Sequence, residues 1–196
     1  MNSTTPPKPV ALSGGTAINF CPACGAPVEL KIPAGDVLPR HVCTRCQTIH
    51  YQNPKLVVGA IPVWEDRILL CRRAIEPRHG KWTLPAGFME NDETVAQAAI
   101  RETAEEACAR IELGELFSML SVPHINQIHL FYQARLLDVD FKAGIESLDV
   151  ELFDEASIPW DHLAFRTVSR TLKFFFEDRR CGEMTIHTGD ILPGQL

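Results

Sequence analysis

Residues 87–109, GFMENDETVAQAAIRETAEEACA, constrain this chain more than any other stretch. Gly87 is followed after five residues by Glu93 and after seven more by Arg101-Glu102, and then comes the pair Glu105-Glu106. On a helix at about 100° per residue, Glu102 and Glu106 fall one turn apart on one face, with Glu105 beside them. The apolar stripe expected to pack, Ala96, Ile100, Thr103, Ala107 and Ile111, falls about a quarter turn away. Asp92 is the expected N-cap. Like charges at i,i+4 cost a helix some tenths of a kcal/mol, so three clustered glutamates call for a cation or for full solvation. Carboxylates on a fixed scaffold suit Mg²⁺ or Mn²⁺, which keep waters and complete their shell with substrate phosphates.

The second constraint is Cys21-Pro22-Ala23-Cys24, then eighteen residues, then Cys43-Thr44-Arg45-Cys46. Two such pairs at this spacing supply four thiolates to one tetrahedral Zn²⁺, and Gly25 allows the tight turn after the first pair. Redox-active pairs are the competing reading, with no thioredoxin-like pattern around them to favour it. Cys71, in an apolar strand, reads as a buried thiol; Cys108 and Cys181 have no evident metal partner.

Seven cysteines, four of them in a zinc pattern, argue for a reducing compartment. The N-terminal MNSTTPPKPVALSGGTA lacks the order of a secretory signal and the arginines of a transit peptide, so it reads as a mobile arm over residues 1–17. No apolar run approaches the length of a membrane helix, and the expected location is cytoplasmic. Residues 1–60 carry five Lys/Arg against two Asp/Glu, net +3, and the remainder 14 against 23, net −9. So acidic a region is a poor binder of nucleic acid, which demands a basic footprint; small-molecule chemistry is the better fit.

Short strands are expected at 17–20, 28–32 and 48–51, around the cysteine pairs. The run Leu56–Trp64 is apolar almost throughout, as in a strand buried on both faces, and Arg67–Arg72 returns after the Glu65-Asp66 turn. Beyond the glutamate helix, strands are expected at 111–120, 128–137 and 150–153, and a helix at 163–176. Its aromatic run Phe174-Phe175-Phe176 reads as core or as a dimer contact, which leaves a homodimer open. Strands alternating with two helices imply an α/β fold, a mixed sheet between helices.

Glycine, glutamate, Arg-Glu and Glu-Glu at these spacings resemble the Nudix box, G-x5-E-x7-R-E-U-x-E-E-x-G-U, where U is a bulky apolar residue. Trp82-Thr83-Leu84-Pro85-Ala86 is similar to the family's lead-in to the box. Three positions depart: Thr103 and Ala109 are small, and Cys108 stands in place of the last glycine, where it can shift the helix exit. The resemblance implies a Nudix α/β/α sandwich over residues 53–196, preceded by a zinc ribbon over residues 18–52. It also implies hydrolysis of a diphosphate linking a nucleoside to another group. Glu102, Glu105 and Glu106 would then ligate Mg²⁺ (or Mn²⁺), with the Ala86 carbonyl as a further ligand and Glu93 and Arg101 in support. The catalytic base in such enzymes often comes from a mobile loop, and Glu146, in a loop whose Gly144 permits movement, is the candidate. Arg73 and Arg78 would clamp phosphates, and Trp82 and Phe165 would supply an aromatic wall.

The stretches around CPACG, CTRCQ, HYQNPKLVVGAIPV and LLCRRAIEPRHGKWTLPAGFMENDET, with ESLDVELF and IPWDHLAF, extend the likeness over residues 18–187. They resemble the zinc-ribbon Nudix branch that includes plant plastid FAD pyrophosphatases, which implies ADP-ribose or FAD as substrate. The NADH branch carries S-Q-P-W-P-F-P after the box, where this chain has SVPHINQIH, and the coenzyme A signature is also missing. The alternatives are an NADH or NAD-capped RNA pyrophosphatase, and a non-catalytic regulator that senses a nucleotide; the intact glutamates argue against the second.

Overall fold

The structure is a computed structural model and describes residues 17–194, so all of the expected N-terminal arm except Ala17 lies outside the described residues. Those residues divide into two compact units, one of residues 17–54 with His124–Asn126, the other of residues 55–123 and 127–194.

The first unit is built on a three-stranded antiparallel sheet, β1 (Val28–Lys31), β2 (Arg40–Cys43) and β3 (Ile49–His50). The middle strand β2 was not expected, and residues 17–20 form no strand; Phe20 makes only an isolated bridge to Pro27. Gly25 takes the positive φ that the first cysteine turn requires and returns its N–H to the Cys21 carbonyl at 2.8 Å.

The second unit centres on β4 (Lys55–Trp64), which is buried along its middle as its apolar run requires. Strand β5 (Arg67–Arg73) folds back on it, and two short strands, β6 (Trp82–Thr83) and β7 (Ala86–Phe88), pair with β5 and β4. Helix α1 (Val95–Ala107) follows, then β8 (Ile111–Val122), β9 (Gln127–Leu136), β10 (Ser147–Phe153), α2 (Arg166–Cys181) and β11 (His187–Asp190). The sheet runs β10-β5-β4-β9-β8-β11. Its β4/β9 and β8/β11 pairs are parallel and the other pairs on that path antiparallel, so it is the mixed sheet expected.

Period-two alternation sends neighbouring residues of β4 to opposite helices. Ile61 joins Phe117, Phe131, Val168, Leu172 and Phe176 in the core under α2, and Val58 joins Ala98 and Ala99 of α1. Helix α2 starts three residues later than expected because Leu163 and Ala164 run extended alongside Trp82, the Ala164 N–H donating to the Trp82 carbonyl at 2.7 Å. Among the described residues no helix is long and apolar enough to cross a membrane.

Candidate active site

Helix α1 begins at Thr94, whose hydroxyl accepts the Gln97 N–H at 3.1 Å while the Gln97 side chain accepts the Thr94 N–H at 2.7 Å. Asp92 is not the cap; it holds a positive φ of 66° in the preceding turn. The helix ends at Cys108 in the left-handed region, φ 48° and ψ 25°, with its N–H on the Ala104 carbonyl. The cysteine therefore keeps the exit that a glycine makes with less strain.

The buried face of α1 keeps Thr103 and Ala107 of the expected stripe but is turned away from Ile100 and Ala96. Ile100 is exposed and Ala96 half-buried, while Ala98, Ala99, Glu102, Thr103, Glu106 and Ala107 are buried. Two glutamates thus lie on the sheet side of the helix. Glu106 is 6% exposed and one of its oxygens accepts the Ala86 N–H at 3.2 Å. Burial pushes its carboxyl up to about 8, against the pull of the Ala86 N–H; Glu102 and Glu146 add to the rise and Arg73 opposes it. Burial also raises Glu102, which Arg101 partly offsets. Glu102 fits because Gly87 has no side chain: a Cβ there would stand 2.3–2.4 Å from its carboxylate.

Arg101 gathers the remaining charges. Its guanidinium donates to Glu93 at 2.7 and 3.0 Å, Glu102 at 2.7 Å, Glu105 at 3.0 Å and the Phe88 carbonyl at 3.1 Å. Glu93, also accepting the Glu90 N–H, is held down at about 2 by this arginine. Glu105 stands at the rim with its side chain 60% exposed. Buried carboxylates that cannot easily stay ionised, with solvent at one edge, fit a divalent cation that keeps part of its water shell.

The other expected residues divide. Arg73 is buried, its guanidinium 5.1 Å from the Phe165 ring centroid and its Nε donating to the Pro77 carbonyl at 2.9 Å. Arg78 is exposed in the loop after it. Trp82 packs edge-on against Phe153, with centroids 4.9 Å apart, and joins Phe165 at the margin of the α2 core. Glu146 is exposed in the turn before β10, within electrostatic range of Glu102 and Glu106. Cys71 is buried, as expected.

Nothing in the chain's pattern marked His129, buried on β9 between Thr167 of α2 and Gln127, each at 2.9 Å. Burial pushes its imidazole down to about 4, so it ties α2 to the sheet as a neutral group. Gly144 was expected to loosen its loop, yet it lies against the end of α1; a small residue facing a helix end was the available clue.

All seven cysteines are free, and in the first unit Cys21, Cys24, Cys43 and Cys46 bring their sulfurs within 4.8 Å of one another. Three of the six Sγ pairs lie 3.4–3.7 Å apart, too far for disulfides and close to the roughly 3.8 Å edge of a tetrahedral zinc–thiolate site. Among the described residues this is the only such group of His, Cys, Asp or Glu.

The family profile for the NUDIX domain matches residues 53–170, and the Nudix N-terminal profile, a zinc ribbon, matches residues 19–52. An ADP-ribose pyrophosphatase of Methanocaldococcus jannaschii is 33% identical over 119 residues, 57% of this chain and 70% of that protein. An NAD-capped RNA hydrolase of Vibrio atlanticus is 29% identical over 161 residues, 80% of this chain and 56% of the relative, and one of Edwardsiella ictaluri is 37% identical over 53% and 38%. The chain therefore spans about half or less of the length of these two hydrolases. A crystal structure of a NUDIX hydrolase from Nitrosomonas europaea is 56% identical, with a TM-score of 0.87 over 89% of this chain and 99% of the other.

Proposed function

The chain belongs to the Nudix hydrolase family, and on that premise we propose that it is a divalent-metal-dependent pyrophosphatase whose substrate is ADP-ribose or FAD. The observation that carries the reading is the burial of Glu102 and Glu106 side by side on the sheet face of α1. Glu102, Glu105 and Glu106, with the Ala86 carbonyl, are the groups proposed to hold the ion. Bound Mg²⁺ or Mn²⁺ supplies charge neutralisation on the diphosphate and a more acidic water.

The remaining roles fall to the chain itself. Arg101 keeps Glu93 ionised and anchored and steadies Glu102 and Glu105. Glu146 is the proposed base, taking a proton from the attacking water. Arg73, backed by Phe165, is the proposed contact for non-bridging phosphate oxygens, with Arg78 available at the exposed edge. Phe165 and Trp82 are the proposed aromatic contacts for a base. The water oxygen bonds one phosphorus as the bridging P–O bond breaks, leaving two phosphate monoesters: AMP with ribose 5-phosphate, or AMP with FMN. Cys21, Cys24, Cys43 and Cys46 are proposed to hold one structural Zn²⁺ in a ribbon over residues 18–52.

The ADP-ribose reading is supported by the relative that bears that name, by the −9 charge of residues 61–196 and by the departure from the NADH motif at Ser121–His129. The NAD-capped RNA hydrolases support a second reading, dinucleotide or capped-RNA cleavage. The test is turnover of ADP-ribose, FAD, NADH, diadenosine polyphosphates and 8-oxo-dGTP with Mg²⁺ and with Mn²⁺. ADP-ribose or FAD is expected to exceed NADH at least about tenfold in kcat/KM, about 1.4 kcal/mol in transition-state binding. Preference for NADH or a nucleoside triphosphate would refute the substrate assignment and leave the hydrolase chemistry standing.

A further inference from the structure

The turn that carries Glu146 is seated on the catalytic helix itself. A helix leaves its last carbonyls without partners, and here two of them are taken by this turn. The Lys142 N–H donates to the Ala107 carbonyl and the Gly144 N–H to the Glu106 carbonyl, each at 3.0 Å. The Ser147 N–H closes on the Gly144 carbonyl at 3.1 Å, which sets Ile145 and Glu146 at the tip of a four-residue turn. On the far side, the Ala74 N–H, just after β5, donates to the Glu146 carbonyl at 2.8 Å. Backbone bonds thus hold the turn on both sides, while Ile145 is 99% exposed and Glu146 is open to solvent.

Gly144 makes the seat. A Cβ on it would overlap the Glu105 carbonyl oxygen and stand 2.9 Å from the Glu105 carbonyl carbon and 3.2 Å from that of Glu106. These are backbone atoms of the helix, which cannot swing aside as a side chain can. Gly144 is not among the glycines with positive φ, so its requirement is space and not conformational freedom. Any larger residue must lift the turn from α1 and carry Glu146 with it.

We infer that Gly144 is a positioning residue for the reaction: its missing side chain lets the 142–147 turn rest on the C-terminal carbonyls of α1 and so fixes Glu146 relative to Glu102, Glu105 and Glu106. The inference rests on Glu146 being the base.

The test is a double-mutant cycle in the full, zinc-loaded chain with Mg²⁺: wild type, G144A, E146Q and G144A/E146Q, on whichever of ADP-ribose, FAD and NADH is turned over fastest. G144A is expected to lower kcat on the order of tenfold to a hundredfold, as a misplacement of about 1 Å does, with KM changed less than about twofold. The double variant is expected to match E146Q alone, because the glycine acts only through the glutamate. Normal kcat in G144A, or losses that multiply in the double variant, would overturn the inference while an impaired E146Q keeps the base assignment. An E146Q enzyme as fast as wild type would overturn both. Amide exchange on wild type stands apart from the variants' folding: the Lys142 and Gly144 N–H groups are expected to be protected like those of α1, and free exchange would refute the seat.

Discussion

Glu106 ties stability to pH more strongly than its neighbour Glu102, which burial raises in the same direction. Its carboxyl, ordinarily near 4.5, sits at about 8 in the folded chain because it is buried. A folded pKa above the unfolded one gives stability that is whole below pH 4.5 and is lost as pH rises through 8. At about 1.4 kcal/mol per unit the loss is on the order of 5 kcal/mol, a large share of a typical domain's stability. Other groups act in overlapping ranges: His129, held down at about 4, adds stability present above its unfolded pKa and lost as pH falls through 4. The clean quantity is therefore the difference between wild type and E106Q, whose amide keeps an acceptor for the Ala86 N–H and cannot ionise. Urea unfolding from pH 5 to 9 without Mg²⁺, followed by tryptophan fluorescence, isolates the catalytic unit, since Trp64, Trp82 and Trp160 all lie in it. E106Q is expected to gain on wild type steadily from pH 5 to 8 and to be the more stable by several kcal/mol at pH 9. Saturating Mg²⁺ should restore wild type at pH 8, by about 2.7 kcal/mol at a hundred times Kd, and leave E106Q unmoved. A difference independent of pH would refute the reasoning.

Three further outcomes are expected. G87A places a methyl group 2.3–2.4 Å from the Glu102 carboxylate and must displace it, so kcat/KM should fall on the order of a hundredfold and half-saturation by Mg²⁺ should rise while circular dichroism stays native; normal activity would show that Glu102 has room elsewhere. C108G removes a side chain from the left-handed exit of α1, and should raise stability by up to about 1 kcal/mol, or Tm by about 2–4 °C, with kcat unchanged. Metal analysis should find one zinc per chain, and chelation should expose residues 18–50 to proteolysis before the catalytic unit; purified protein without zinc, or one that keeps its ribbon in chelator, would count against the four-thiolate site.

The glutamate cluster was legible because the i,i+4 spacing of Glu102 and Glu106 holds for any straight helix. Which way it faced was not. Amphipathic reasoning turns carboxylates outward, yet the sheet surface under α1 takes in both buried glutamates along with Ala98, Ala99 and Ala107. The long central strands read correctly from their apolar runs. The two- and three-residue strands β6 and β7, divided by Leu84-Pro85, are too short to show a period, and β11, HTGD, has no apolar residue to mark it. The start of α1 was misplaced because Asp92 and Thr94 both suit a cap, and only Thr94 has Gln97 three residues on to complete the box. Gly144 was misread because glycine signals flexibility as readily as close approach, and the choice depends on contacts 38 residues apart.

Arg101 separates four glutamates into different kinds of group. Glu93 receives two of its hydrogen bonds and the Glu90 N–H, and at about 2 it remains ionised at any pH where the chain works. A carboxylate so well satisfied has little to gain from a metal, which suits it to anchoring the arginine. Glu105 shares the arginine but stands in solvent, free to turn away from it. Glu102 is held on one oxygen by Arg101 while burial works against its charge. Glu106 is beyond the arginine's hydrogen bonds, takes only the Ala86 N–H, and is the carboxylate least able to remain ionised without a cation. For the proposed metal site, the order of demand for a cation, Glu106 then Glu102 then Glu105, follows from how much compensation each already has within the chain. A divalent ion held there, as proposed, would meet its strongest demand at the most buried of the three, where water is scarcest and each fixed charge acts with most effect on a phosphate.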